Sequence, residues 1–224
     1  MKILSVDTSS NVCSVAIMED DKCIVENSIN DGKTHSENLM PLIEKTLQDN
    51  NVKLNSIELI AVVVGPGSFT GIRIGVASVK AIAEVLSVPI VAVTSLEGLA
   101  YNIKNVDENI CALIDARNNQ VYAGIFDDMH NPLEEYMADD INNVLEQIKK
   151  YNNITFVGDG AVMHKELIQS KVENAKFVSD DKNVQSAKSV GEAGYSKYKM
   201  GIIENADTII PKYLRKSQAE RMKK

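Results

Sequence analysis

At 224 residues, 44% apolar and 25% charged, the chain has length for one large or two small domains and is too apolar to be disordered. No apolar run approaches the roughly 20 residues that span a bilayer, and a net charge of −7 opposes a broad grip on a polyanion. Three cysteines, Cys13, Cys23 and Cys111, without CxxC spacing argue against a disulfide framework and a zinc knuckle.

The opening "MKILSVDTSS" turns polar too soon for a secretory leader, so the expected location is cytoplasmic. "KILSVD" reads as a strand, "TSSN" as a turn, and "VCSVAIM" and "KCIVENSI" as two further strands of a meander. "THSENLMPLIEKTLQDN" carries Leu39, Ile43 and Leu47 at helical spacing, with Thr34 and Glu37 as a capping box and Pro41 inside the helix. "IELIAVVV" suits a buried parallel strand, and "IRIGVASVKAIAEVL" a helix rich in small residues. "VPIVAVT" is the next strand and "SLEGLAYNI" a short helix.

That order is ribonuclease H-like, and the sequence carries it twice. "VDTSSNVCSVAI" (6–17) aligns without a gap with "IDARNNQVYAGI" (114–125), and "VGPGS" (64–68) aligns with "VGDGA" (157–161). The expected fold is therefore α/β, two tandem ribonuclease H-like lobes of the actin-like ATPase type, each a mixed sheet with helices on its faces. The expected boundary gives an N-terminal lobe over 1–104 and a C-terminal lobe over 105–224. The last thirteen residues, "KYLRKSQAERMKK", hold six basic residues and one acid, which leaves 18 basic against 30 acidic residues in 1–211. If nucleic acid is touched, that tail is the place; a solvated terminus is the other reading.

Candidate binding residues follow from the duplication. Asp7 ends a strand and precedes a hydroxyl-rich hairpin with Thr8 and Ser9, an arrangement whose amides can face a phosphate and whose carboxylate can hold hydrated magnesium. Asp115 is its counterpart. In "GPGSFTGIRIG", Gly65 and Gly67 allow close approach, and Ser68 or Thr70 can cap the helix that follows. Gly158 and Gly160 repeat the pattern. Two readings stay open, an anion site at a helix N-terminus and a tight strand-to-helix corner. The Lys of a P-loop is missing. The arrangement resembles the actin, sugar kinase and heat-shock ATPase superfamily, which carries Asp-x-Gly where this chain has Ser9; that departure counts against nucleotide chemistry without excluding binding.

The small-residue helix, with Gly75 and with Ile72, Val76 and Val79 at helical spacing, can serve as half of a helical interface together with the segment carrying Leu39 and Ile43. The other reading is that both helices cover their own sheet. His35, His130 and His164 are too scattered for a metal site, and no catalytic residue stands out.

Across nearly the whole chain, "MKILSVDTSSNVCSVAI", "THSENLMPLI", "GPGSFTGIRIGVA", "SLEGLAY", "IDARNNQVYAGIF" and "PKYLRK" resemble the bacterial tRNA threonylcarbamoyladenosine biosynthesis family TsaB, formerly YeaZ. The resemblance implies two actin-like lobes and a non-catalytic subunit that pairs with TsaD. TsaD holds a metal through the histidines of an HHxEGH segment, and here "TSLEGLA" places Ser95 and Leu99 at the ligand positions. Also implied are threonylcarbamoyl transfer to the adenosine beside the anticodon, the ATPase TsaE as a third component, and a partner surface on helices over 36–48 and 71–86. A homodimer of the lone chain is expected through that same surface. No cofactor is expected for the chain alone, with ATP or ADP belonging to the assembled complex, and no membrane. The competing expectations are an ATP-dependent small-molecule kinase and, further off, a metallopeptidase.

Overall fold

A computed structural model describes residues 1–215. The first half runs β1 (Lys2–Asp7), β2 (Cys13–Glu19), β3 (Lys22–Ile29), α1 (His35–Asp49), β4 (Leu59–Gly65), α2 (Phe69–Leu86), β5 (Ile90–Thr94) and α3 (Ser95–Ala100). The second runs β6 (Asn109–Asp115), β7 (Gln120–Phe126), β8 (Met137–Asp140), α4 (Ile141–Ile148), β9 (Ile154–Val157), α5 (Asp159–Met163), α6 (Lys165–Lys171), β10 (Lys176–Phe177) and α7 (Ala187–Lys199).

Each half builds one five-stranded sheet with the same plan. The first is ordered β3-β2-β1-β4-β5 and the second β8-β7-β6-β9-β10, with the three meander strands antiparallel and the later two parallel to the first. The duplication in the sequence is thus a duplication of topology. The meander strands follow one another without an intervening helix, whereas the parallel strands need helical crossovers, which is where α1, α2 and α4 fall.

Two compact units result, one of Met1–Gly98 with Gln185–Lys212, the other of Leu99–Val184 with the chain from Tyr213. This differs from a second lobe over 105–224: α7 and the strap after it pack with the first unit. Continuous burial along β1, β2 and β4 gives the first sheet two buried faces, and α1 and α2 cover only one. Helix α7 covers the other, where Gly191 lies against Met18 and Ser5, and Gly194 against the Cβ of Ala61. Its ends are fastened by polar contacts. Glu26 accepts from Ser186 Oγ at 2.8 Å, and Lys197 reaches Glu97 at 2.9 Å.

The core of the first unit lies between its sheet and the α1–α2 pair, with Leu4, Val6, Ile60 and Val62 meeting Leu39, Ile43, Ile72 and Val79. That of the second is centred on Leu113, Ile125 and Phe156 under α4 and α6. No helix among the described residues is long and apolar enough to cross a membrane.

Candidate functional site

In the first unit, the structure brings Asp7, Thr8, Ser9, Gly67 and Ser68 together. β4 ends at Gly65 with φ +123, and Gly67 has φ +151, both in the region glycine favours. A side chain on Gly67 would overlap the carbonyl of Ser9, and one on Gly65 the carbonyl of Lys212. Ser68 caps α2 as expected, its Oγ accepting from the Gly71 amide. The Ser68 amide donates to the Ser9 carbonyl at 2.8 Å, and Thr8 Oγ1 donates to the Gly71 carbonyl at 2.8 Å. Side chains on Gly71 and Gly75 would overlap the carbonyl and hydroxyl of Thr8.

The amides of Ser68 and Gly71 are therefore already used, and the hairpin fills the space that the glycines leave. Around Gly67 and Gly71 the turn is a packed corner. Asp7 is 1% exposed. Its Oδ1 accepts from the amide and hydroxyl of Ser9 at 2.8 and 2.7 Å, while Oδ2 has no hydrogen-bond partner. Burial raises its pKa above the ordinary carboxylate range, against the lowering effect of those Ser9 bonds and of nearby His35.

His35, given no role by the sequence beyond its place beside a helix cap, lies against Gly71 and bonds through Nε2 to the Ser10 carbonyl at 2.8 Å. It ties the start of α1 to the hairpin. Thr34 and Glu37 form the expected capping box. The N-terminal ends of α1 and α2 border a hollow of about 380 Å³ lined by Asn11, Lys33, Thr34, Ser68, Thr70 and Ile74 among others.

The second unit assembles Asp115, Gly158 and Gly160 differently. A side chain on Gly158, at φ +105, would overlap the Leu113 carbonyl, and Gly160 lies against Leu113 and Ile114. The Asp115 amide donates to Asp159 Oδ1 at 3.0 Å, and the Gly158 amide to Asn183 Oδ1 at 2.8 Å. Sequence reasoning named neither Asp159 nor Asn183, although Asp159 stands inside the quoted "VGDGA". Burial raises the Asp159 pKa. As a carboxyl in the first turn of α5 it opposes an incoming anion.

The expected interface residues require a correction. Leu39, Ile43, Ile72, Gly75, Val76 and Val79 are all buried in the first unit, none presented for a partner. Their helical spacing marks the stripes with which α1 and α2 face their own sheet, and Gly75 admits Thr8. The outer face of the same helices carries Met40, Ala77, Ala81 and Val85 instead.

At the segment 94–100, Ser95 is fully buried and donates to the Pro66 carbonyl at 2.5 Å, and Leu99 is fully buried. Glu97 caps the start of α3, accepting from the Thr94 amide at 2.6 Å. No cluster of His, Cys, Asp and Glu suited to a metal ion occurs among the described residues. His130 stacks on Tyr101 at 4.3 Å, and His164 sits at the break between α5 and α6. Burial pushes the Cys13 thiol up to about 11 and that of Cys111 up to about 12, so neither is a nucleophile near neutral pH.

Comparison with known proteins gives these features a context. A family model for TsaD, tRNA N6-adenosine threonylcarbamoyltransferase, matches residues 24–223. The tRNA threonylcarbamoyladenosine biosynthesis protein TsaB of Bacillus subtilis is 33% identical over 98% of this chain and 96% of its own length. The solved structure of YeaZ from Pseudomonas aeruginosa superposes with a TM-score of 0.79 at 23% identity, covering 95% of this chain and 99% of that one. An activator of 2-hydroxyisocaproyl-CoA dehydratase from Clostridium difficile, solved with bound ADPNP, shares the fold at a TM-score of 0.56 and 11% identity over 90% of this chain and 97% of that one.

Proposed function

The chain belongs to the TsaB family of tRNA threonylcarbamoyladenosine biosynthesis proteins, and on that premise we propose that it acts as the non-catalytic partner of a TsaD subunit. The observation that carries this reading is the segment 94–100. The positions at which TsaD-type chains are expected to hold a metal are a serine bonded to a carbonyl and a leucine in the core. Neither can replace an imidazole, and the neighbouring Glu97 is committed to a helix cap and to Lys197. A packed first glycine turn and an acidic first turn in α5 likewise give no support to phosphoryl transfer by this chain alone. A kinase reading therefore has no observation in its favour.

The partner surface in this proposal is the outer face of α1 and α2. Ala77 and Ala81 keep that face of α2 low, so a helix of another subunit can approach closely, and Met40 and Val85 supply apolar area. The same face would serve a homodimer of the lone chain, making the two assemblies mutually exclusive. TsaE joins as a third component, nucleotide belongs to the assembled complex, the site of action is the cytoplasm, and tRNA is met through the complex. Any contribution of the basic tail to tRNA contact falls largely on 216–224, outside the described residues.

The test is mass spectrometry of nucleosides from tRNA after depletion of the protein. Threonylcarbamoyladenosine should fall, return with the wild-type gene, and stay low with Ala77→Arg, which charges an exposed position and leaves the core intact. Unchanged levels on depletion would remove the proposed role. Val76→Asp cannot serve in this experiment because Val76 is a core residue.

A further inference from the structure

Helix α2 has a neighbour on each flank. α1 packs along one, and along the other runs the strap that follows α7. The strap pairs with the sheet edge through the backbones of Ile90 and Glu204 at 2.7 and 2.9 Å. It buries Ile209 in the core and receives Lys80 Nζ on the Ile209 carbonyl at 3.4 Å. Between the strap and the C-terminal end of α2 lies a groove of about 450 Å³, lined by Ala83, Val88, Pro89 and Ile203 together with Ser87, Asn205 and Thr208, with Glu84 and Glu204 on its walls. None of its lining residues is basic, and neither glutamate forms an ion pair among the described residues.

The groove adjoins the partner face at its far end. Val85, 82% exposed, closes the outer stripe of α2, and Ile203 and Ile210, 53% and 65% exposed, lie on the strap. A mixed lining, apolar along Ala83, Val88, Pro89 and Ile203 and carrying two carboxylates without an ion pair among the described residues, at the helix end that carries negative dipole, suits a side chain with an aliphatic stem and a cationic head. We propose that this groove receives an arginine or lysine of the TsaD-type partner subunit, extending the α1–α2 face onto the strap. The inference rests on the reading that this face meets that subunit.

Calorimetry of the full chain against its TsaD-type partner tests it, with Glu84→Lys/Glu204→Lys and Ala77→Arg compared. Both glutamates act at the surface, so melting curves should stay close to wild type. The double variant should bind at least tenfold more weakly and lose part of the salt dependence of wild-type binding; Glu84→Gln should weaken binding by about threefold. If Ala77→Arg abolishes binding while the double variant binds as wild type, the groove is overturned and the partner face stands. If Ala77→Arg also binds as wild type, the face is wrong and the groove falls with it. A double variant that alters only self-association in sedimentation velocity would assign the groove to a second copy of this chain and overturn the proposal.

Discussion

The two units share strand order, strand direction and a glycine turn after the fourth strand, yet the hairpins beside those turns differ. In the first unit Asp7, Thr8 and Ser9 are buried, and three glycines of the following loop and helix, Gly67, Gly71 and Gly75, lie against that hairpin. In the second, Asp115 is only half-buried and the turn continues through Arg117, Asn118 and Asn119, all exposed and all at positive φ. The helix after the first turn runs unbroken over 18 residues, whereas the second is interrupted at His164. The difference teaches that a glycine-rich strand-to-helix turn is a phosphate site only when its amides are left free. The first unit commits the Ser68 amide to the hairpin and the Gly71 amide to the Ser68 cap.

The largest expected effect breaks the junction of hairpin and helix. Gly75→Val puts a branched side chain where Thr8 already sits, in the interior of a helix whose backbone cannot retreat from the sheet. Overpacking of this kind costs roughly 1–3 kcal/mol and occasionally more, so a marked drop in melting temperature is expected. Gly98→Ala is the control: its nearest new neighbour would be Val190 at 3.4 Å, an ordinary contact. Equal melting of the two variants would show that the hairpin does not depend on close approach at Gly75.

Much of this was legible in the sequence because period and spacing report burial. The β-branched runs, the capping box of Thr34 and Glu37 and the offset repeat of Asp7 and Asp115 announce two similar α/β folds. The destination of α7 was not legible. "AKSVGEAGYSKYK" is polar on average, and only its small residues, Ala187, Gly191 and Gly194, record that a sheet lies beneath it. The small-residue helix α2 was legible as a surface that something approaches closely, but glycine does not say what approaches. A hairpin 63 residues upstream of Gly71 takes that place, and the apolar stripe beside it belongs to the core. Asp159 and Asn183 escaped because each satisfies a backbone amide distant in sequence, 44 and 25 residues away, and such a partner leaves no local pattern.

A smaller effect is expected from the single bond between hairpin and helix. Thr8→Val keeps the shape and removes the donor to the Gly71 carbonyl, leaving a buried acceptor short of one partner. The expected cost is about 1–2 kcal/mol by urea unfolding. The second unit offers the contrast, since Asn118→Ala alters an exposed turn position and should stay within about 0.5 kcal/mol apart from its positive φ cost. A Thr8 variant as stable as wild type would mean that glycine contacts alone hold the hairpin.

The smallest effect concerns charge beneath the sealed turn. Burial raises the Asp7 pKa above 3.8, its unperturbed value, so the folded chain holds a proton there in a range where the unfolded chain has released it. Stability from this group is complete below that value and is lost as pH rises through the folded pKa. The ionised form is the costly one at neutral pH, with Glu26 adding to the cost and His35 relieving it. Asp7→Asn keeps an acceptor for Ser9 and cannot ionise. It should melt higher than wild type at pH 7.5, by about 2–4 °C for each kcal/mol recovered in a chain of this size, and the gap should close as pH falls toward 4. If Asp7→Asn melts lower than wild type at pH 7.5, the carboxylate is stabilised in its charged form and the sealed turn is a more polar place than its packing implies.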